Sequence, residues 1–136
     1  MAFQLNQTLK NDSIFIMELK LCQVRLINNA NFPWLILIPQ IFNLVEITDL
    51  SNAEYDLLNA EIKLVSRALQ NALNPDKLNI ATIGNVVSQL HFHIIARYKN
   101  DHLFPKPVWG CEFTPYSLKA RKEKIHLFKT AINLML

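Results

Sequence analysis

Two histidines one residue apart, His91 and His93, are the part of the sequence best suited to chemistry, and Gln89 precedes them at the same spacing. Polar and apolar residues alternate from Gln89 to Ile94. Successive side chains of a β-strand point to opposite faces, so the three polar side chains share one face and the apolar residues share the other. On a helix the two histidines would point to nearly opposite sides. The pattern therefore predicts a strand whose apolar face lies on the core.

Paired imidazoles on an apolar strand favour a functional site, because a half-buried ring without hydrogen bonds costs about 1–3 kcal/mol. A metal site would add a third ligand to the two rings. A nucleophilic site would use one ring to attack an electrophile, typically phosphorus, and the other to hydrogen-bond the phosphoryl oxygens or the leaving group. The third ligand decides between these chemistries. Asp101 and His102 are the near candidates downstream, and no HxxxH or HExxH spacing supports a metal.

The elements that position this pair begin with a predicted antiparallel hairpin. Four segments are predicted before residue 40: a short helix over 2–11 and strands over 14–18, 21–28 and 34–39. The run Asn28-Asn29-Ala30-Asn31 is typical of a turn, and Pro33 closes it.

A long central helix is predicted next. Ser51 and Glu54 form a capping box, in which each side chain accepts from a backbone N–H that the helix start leaves unpaired. An apolar stripe at spacings of three and four follows and ends near Pro75: Leu58, Ile62, Val65, Leu69 and Ala72.

The last half of the chain predicts two paired strands, a loop and a terminal helix. Residues 77–82 and 86–97 are the strands, and 83–85 are the turn between them. Pro105, Pro107 and Trp109-Gly110 favour an ordered loop. An amphipathic helix follows, marked by Leu118, Ile125, Phe128, Ile132 and Met135. The order of elements predicts an α+β fold with a mainly antiparallel sheet of about five strands.

Composition bounds the class of protein. The 136 residues, 51% hydrophobic and 18% charged, predict one globular domain over 1–136. The net charge of +3 comes with a late basic run, 119–124, that indicates a solvated helix face rather than a nucleic-acid site, and His126 beside it is expected at the surface. No secretory leader or membrane span is recognised, and two cysteines without metal spacing fit a reducing compartment, so we expect a soluble cytoplasmic protein.

The segment from Gln89 to Ile95 resembles the motif of the histidine-triad family, His-apolar-His-apolar-His-apolar-apolar, with Gln in the first triad place. The order of elements from about Leu21 to Arg97 is similar as well. The chain also resembles a short bacterial branch, described as diadenosine-tetraphosphate-hydrolase-like, that has Gln at this place and a Pro-Val-Trp-Gly stretch after the motif. Pro107-Val108-Trp109-Gly110 matches that stretch.

The resemblance implies a nucleotide hydrolase or nucleotidyl transferase. His91, the middle triad member, would attack the α-phosphate of a nucleoside phosphoramidate or dinucleoside polyphosphate and become a transient nucleotidyl-imidazole. His93 would hydrogen-bond the phosphate or the bridging oxygen. Gln89 cannot exchange protons as imidazole does, although its backbone carbonyl can still hold the other nitrogen of the nucleophile.

The resemblance also implies a nucleotide pocket. Asn28 occupies a place like that of a ribose-contacting Asn, and Trp34 stands near a place where many members carry another His. Asn79 resembles a residue that reaches the phosphate or the leaving group. Val86 replaces a phosphate-contacting Ser.

Three residues of turns and loops complete the predicted pocket. Gly84 can adopt a positive φ that lets main-chain N–H groups of the turn it shares with Asn85 approach a phosphate, or it can serve the turn alone. Trp109 either shields the phosphates or anchors its loop.

Three hypotheses follow. The chain is an enzyme of the type described, with no metal or other cofactor; or a nucleotide-binding or regulatory module whose triad has decayed; or a metal-binding protein that uses His91 and His93. The expected ligand is a purine nucleotide or dinucleoside polyphosphate. A homodimer through the central helices is expected from the resemblance, and neither a membrane nor a nucleic acid is an expected partner.

Overall fold

Five strands and three α-helices follow one another along residues 1–136 of the computed structural model. Their bounds are α1 Gln7–Asp12, β1 Ser13–Glu18, β2 Cys22–Ile27, β3 Trp34–Pro39, α2 Asn52–Leu73, β4 Lys77–Ala81, β5 Phe92–Arg97 and α3 Leu118–Asn133. One 3-10 turn, Ile47–Asp49, precedes α2. The predicted α+β class and the five-stranded antiparallel sheet are confirmed.

The sheet places β5 between two partners. The strand order is β1-β2-β3-β5-β4, and every neighbouring pair is antiparallel. His93 lies opposite Ile36 of β3 on one side and opposite Ala81 of β4 on the other. Its backbone is therefore held by ladders on both sides, which gives the side chain a rigid base.

One face of the sheet packs against α2 and α3. The apolar residues of the motif, Leu90, Phe92 and Ile94, join the core on this face, where they meet Leu58 of α2 and Phe128 of α3. The predicted alternation is confirmed here, since a period of two sends these residues to the helices. His93 consequently projects from the opposite face.

A second apolar cluster covers that opposite face. Trp34 and Ile36 of β3 contribute to it together with Leu9 of α1, Val87 and Val108. The last two belong to the segments before and after β5, so loops rather than helices close this side of the sheet. A cleft between loops can hold a ligand without disturbing the packed helices.

The predicted strand over 86–97 is wrong in its first half, because β5 begins at Phe92. Its ladder with β4 ends at the pair of Ala81 and His93. Before that pair the chain bonds elsewhere: the N–H of Leu90 donates to the carbonyl of Leu44 at 3.0 Å. Gln89 and His91 therefore lie in the segment that enters the strand rather than in the strand itself.

The helices depart from prediction in smaller ways. α1 begins at Gln7 rather than residue 2, because the side chain of Asn6 caps it by accepting from the N–H groups of Thr8 and Leu9. The Ser51 and Glu54 capping box of α2 is present as predicted. The buried face of α2 differs from the predicted apolar stripe: it includes Glu61, whereas Ala72 is exposed.

Glu61 is on that face because its carboxylate accepts from the N–H groups of Leu21 and Cys22 at 2.9 and 2.8 Å. Cys22 is fully buried. None of the helices combines the length and the apolar character needed to cross a bilayer.

Candidate active site

A cavity of about 440 Å³ opens on the loop-covered face of the sheet, and both His91 and His93 line it. Its volume falls in the range of roughly 300–1,000 Å³ that small-molecule sites occupy. α1, the segment 83–87 and the segment 108–113 form the walls around the two rings. The ring centroids lie 4.9 Å apart with planes inclined at 68°. The two imidazoles therefore face one shared space.

His91 holds its proton on Nδ1. This atom lies 2.7 Å from the backbone carbonyl oxygen of Gln89, and a carbonyl can only accept. The proton must then sit on Nδ1, which leaves an unprotonated lone pair on Nε2. That nitrogen has no hydrogen-bond partner in the protein, and it is not among the fully enclosed unpaired polar atoms. A free lone pair open to a cavity is what a nucleophile requires.

His93 holds its proton on the other nitrogen. The indole Nε1–H of Trp34 donates to Nδ1 of His93 at 3.0 Å. Because an indole N–H can only donate, Nδ1 must be the unprotonated nitrogen and Nε2 carries the hydrogen. His93 therefore offers an N–H donor where His91 offers a lone pair.

Burial keeps both rings neutral. Desolvation lowers the pKa of His91 below its usual 6.5, and the hydrogen bond to Gln89 offsets this only in part. Desolvation, with a smaller contribution from neighbouring His91, lowers the pKa of His93 to about 3. At neutral pH the cavity therefore contains one nucleophilic nitrogen and one neutral hydrogen-bond donor.

Aromatic side chains form the wall beside His93. The ring of Trp109 stands edge-on to His93 with centroids 4.5 Å apart, and Trp34 contacts Trp109 and Phe113 at 5.4 and 5.7 Å. Trp34 is buried, whereas Trp109 and Phe113 are partly exposed at the mouth. Such a wall excludes water from the rings and presents flat surfaces to a planar ligand.

The turn before the motif forms the opposite rim. Gly84 and Asn85, two of the predicted pocket residues, line the cavity together with Val86. Gly84 has a φ of +73°, which a residue with a side chain rarely adopts. Val86 is almost fully exposed, so it contributes a surface at the mouth rather than packing.

The side chain of Gln89 does not point to the cavity. Its Nε2 donates to the carbonyl of Gln4 and its Oε1 accepts from the N–H of Asn6, both at 2.8 Å. The sequence predicts Gln89 to be catalytic, but only its backbone carbonyl contacts one of the two histidines, through the hydrogen bond to His91. The side chain ties down the N-terminal segment, whose next residues, Thr8, Leu9 and Asp12, line the cavity.

Two predicted pocket residues lie elsewhere. The side-chain oxygen of Asn28 accepts from the N–H of Tyr116 at 2.9 Å, and Asn79 accepts from Arg97 at 2.9 Å. Neither residue lines the cavity of the histidines. Asn79 belongs to the edge strand β4, and β5 lies between this strand and β3. The position of Asn79 is therefore determined by strand pairing and not by its distance along the sequence from the motif.

The candidate third metal ligands are also engaged elsewhere. Asp101 binds Arg97 through two bonds of 2.8 and 3.0 Å, and this contact is the main reason that its pKa is lowered to about 2. His102 stacks on Phe32, 5.3 Å between centroids, and does not line the cavity. No group of three His, Cys, Asp or Glu side chains is arranged to hold a metal ion.

Sequence reasoning missed the contribution of α1 and Phe113. Thr8 and Asp12 line the cavity although they lie about 80 residues before the motif. Asp12 is the one charged side chain among the lining residues, and no Lys or Arg joins them. The signal that could have indicated α1 is weak, since nothing in a six-residue polar helix marks what it faces.

The sheet, the cleft and the paired imidazoles define an α+β protein with a histidine-centred site, and comparison with known proteins identifies its family. The model of the HIT domain matches residues 8–100. The chain therefore belongs to the HIT domain family, whose members generally act on nucleotides. No curated protein matches the chain.

Solved structures agree with the family. A histidine triad protein from Bradyrhizobium japonicum is 42% identical, with a TM-score of 0.94 over 97% of this chain and 99% of the other. One from Marinobacter aquaeolei VT8 is 33% identical, with a TM-score of 0.96 over 100% of both chains. A diadenosine triphosphate hydrolase from Plasmodium falciparum shares the fold at 21% identity, with a TM-score of 0.69 over 97% of this chain and 83% of the other.

Proposed function

We propose that the chain is a nucleotide hydrolase or nucleotidyl transferase that acts at the α-phosphate through a covalent nucleotidyl-histidine on His91. The observation that carries the proposal is the pair of opposite tautomers in one cavity. His91 offers a lone pair on Nε2 and His93 offers an N–H on Nε2. A phosphorus centre needs a nucleophile on one side and donors for its oxygens on another.

The first step forms a bond between Nε2 of His91 and the α-phosphorus while the bond from phosphorus to the leaving group breaks. The leaving group takes the electron pair: a phosphate or polyphosphate departs as an anion, whereas an amine must also take a proton from water. The imidazole retains its Nδ1 proton and becomes positively charged, and the carbonyl of Gln89 stabilises that charge through the 2.7 Å hydrogen bond. His93 donates a hydrogen bond from its Nε2–H to a phosphoryl oxygen.

The second step releases the nucleotide. A water oxygen, or the hydroxyl of another acceptor, bonds to phosphorus as the phosphorus–nitrogen bond breaks, and the electron pair returns to Nε2 of His91. The proton of the water or acceptor passes to solvent. No protein group needs to change its protonation state over the cycle, which suits two rings whose pKa values burial holds low.

The substrate is proposed to be a purine nucleotide derivative, either a nucleoside phosphoramidate or a dinucleoside polyphosphate. Trp34, Trp109 and Phe113 supply aromatic surface on which a base can stack. Gly84 and Asn85 supply a turn at the rim for phosphate contacts. Likeness to the Gln-containing, diadenosine-tetraphosphate-hydrolase-like branch supports the second substrate class, through Gln89 and the segment 107–110.

We also propose that the chain is a cytoplasmic protein with a single domain and that it forms a homodimer. The apolar stripe of α2 gives the dimer no support, because Leu58, Val65 and Leu69 are fully buried in the chain's own core. Analytical ultracentrifugation of the purified protein would decide the oligomeric state.

The test of the function uses protein treated with EDTA. We expect it to cleave a dinucleoside polyphosphate or an adenosine phosphoramidate, and expect intact-protein mass spectrometry to detect an adenylyl adduct that His91→Ala abolishes without unfolding the chain. His126→Ala, a change at an exposed helix position, is the matched control and should retain both substrate cleavage and adduct formation. Full turnover in His91→Ala would overturn the assignment.

The same experiment separates the other two hypotheses. AMP binding without turnover or adduct would identify a non-catalytic nucleotide-binding module. Loss of activity in EDTA, with a stoichiometric ion found by metal analysis, would identify a metal-dependent protein.

A further inference from the structure

The hydrogen bond from Trp34 to His93 restricts what His93 can do. Trp34 is buried at 4% exposure, and the only polar atom of its side chain, Nε1, points at Nδ1 of His93. An indole N–H is a donor with no acceptor and does not ionise in water. It can therefore neither take a proton from His93 nor return one.

Protonation of His93 would place two N–H groups against each other. In the imidazolium form Nδ1 carries a hydrogen, and the indole hydrogen already occupies the line between the two atoms. The other groups around the ring do not compensate. His91 and Trp109 contact the ring without accepting a hydrogen bond from it, and Asp12, the one carboxylate that lines the cavity, forms no ion pair with it. The low pKa of His93 agrees with this arrangement.

We propose that Trp34 fixes His93 as a neutral Nε2–H donor and thereby limits rapid cleavage to substrates whose leaving group departs as an anion, such as a phosphate or polyphosphate, rather than as an amine. This inference rests on the proposed function, and within it Trp34 is a positioning residue that acts through His93. It selects between the two substrate classes that the site admits.

The two leaving groups differ in their need for a proton. When the α-phosphorus is linked through oxygen to another phosphate, the breaking bond leaves its electron pair on that oxygen as a stable anion. When it is linked to an amine, the electron pair goes to nitrogen, which must receive a proton as the bond breaks. His93 could supply that proton only by becoming an imidazolate, because nothing behind it can replace the proton.

Gln89 cannot supply this proton through His91 either. A side chain at this place that exchanged protons with His91 could relay one, but the amide of Gln89 is committed to Gln4 and Asn6. Among the lining residues, Asp12 remains the one ionisable group besides the two histidines. The cavity therefore contains no general acid that could protonate a departing amine rapidly.

The first test measures the tautomers. Long-range ¹H–¹⁵N correlation spectra of the wild-type protein at pH 7 should show His93 as the Nε2–H form and His91 as the Nδ1–H form. In Trp34→Phe the His93 signals should move toward a mixture of tautomers. Trp109→Phe, which alters another ring against His93 but leaves the indole of Trp34, is the matched control; its His93 chemical shifts can move, but His93 should remain the Nε2–H tautomer. An Nδ1–H tautomer in the wild type, or an unchanged one in Trp34→Phe, would overturn the proposal.

The second test measures leaving-group preference. Wild type should cleave a dinucleoside polyphosphate with a kcat/KM at least about 100-fold above that for an adenosine phosphoramidate, the scale of a missing general acid. The ratio of these two kcat/KM values should be smaller in Trp34→Phe. If that variant fails to fold, the wild-type ratio and tautomers decide alone.

The outcomes of the second test separate the two proposals. Equal cleavage of both substrates by the wild type would sink the inference and leave the proposed function intact. Cleavage of neither substrate, with no adduct on His91, would refute the proposed function, and the leaving-group inference would fall with it.

Discussion

The side-chain oxygen of Gln89 accepts from the backbone N–H of Asn6 at 2.8 Å, across 83 residues of sequence. This bond, with its companion to Gln4, makes Gln89 a tether for the segment that leads into α1. The side chain of Gln89 therefore organises one wall of the cavity instead of facing the two histidines.

Gln89→Ala is expected to loosen that wall while leaving the chemistry in place. Two hydrogen bonds of about 0.5–1.5 kcal/mol each are lost, whereas the backbone carbonyl bonded to His91 remains. Hydrogen exchange at the Asn6 amide should accelerate, and KM should rise with kcat little changed. Gln70→Ala, at an exposed position of α2, is the control. A fall in kcat of about 100-fold would show that the side chain takes part in proton transfer.

Trp109→Ala is expected to weaken nucleotide binding more than folding. Trp109 forms a wall of the cavity against His93 and is 38% exposed, so its removal costs ligand contact and little core packing. The Kd for AMP, measured by calorimetry, should rise roughly tenfold, equivalent to about 1.4 kcal/mol. Trp109→Phe should recover most of the loss. Unchanged affinity in Trp109→Ala would mean that this ring only anchors its loop.

The pH dependence of kcat/KM should have a late acid limb. His91 must be unprotonated at Nε2 to attack, and burial lowers its pKa below 6.5, so the neutral form persists to lower pH than in a free histidine. We expect the acid limb of the profile to have its midpoint below 6.5. A midpoint at or above 6.5 would contradict the environment described for this ring.

Stability should also fall on the acid side. His93 has a pKa of 6.5 when unfolded and about 3 when folded, so between these values the unfolded chain binds a proton that the folded chain does not. The free energy of unfolding must then decrease as pH drops from about 6.5 toward 3. Urea titrations across this range should show a shallower decrease for His93→Asn, and equal slopes would argue against a buried neutral ring.

Glu61→Ala should be the most destabilising of the changes considered. It leaves the N–H groups of Leu21 and Cys22 buried without acceptors, at about 1–3 kcal/mol each. Urea unfolding should show a loss of at least about 2 kcal/mol, against less than about 0.5 kcal/mol for the exposed Glu123→Ala. Glu61→Gln should fall between them, because one amide oxygen can still accept. A loss no larger than that of the control would mean that water replaces the carboxylate.

Local pattern in the sequence determined most of the architecture. The alternation around His93 predicted which side chains face the helices, and the capping box of Ser51 and Glu54 marked the start of α2. These signals are local, because strand pleat and helix caps depend on residues a few positions apart. The motif likewise singled out His91 and His93, which both line the cavity.

Tertiary structure alone decided the partners of those groups. Trp34 meets His93 from 59 residues away, and Gln89 reaches Asn6 from 83. The sequence placed Asn79 in the pocket, but its strand lies on the far side of β5, where it binds Arg97. Each contact depends on strand register and on how loops close over a sheet, and both are set by packing across the whole chain rather than by neighbouring residues. The tautomers, and with them the chemistry proposed here, follow from those distant contacts.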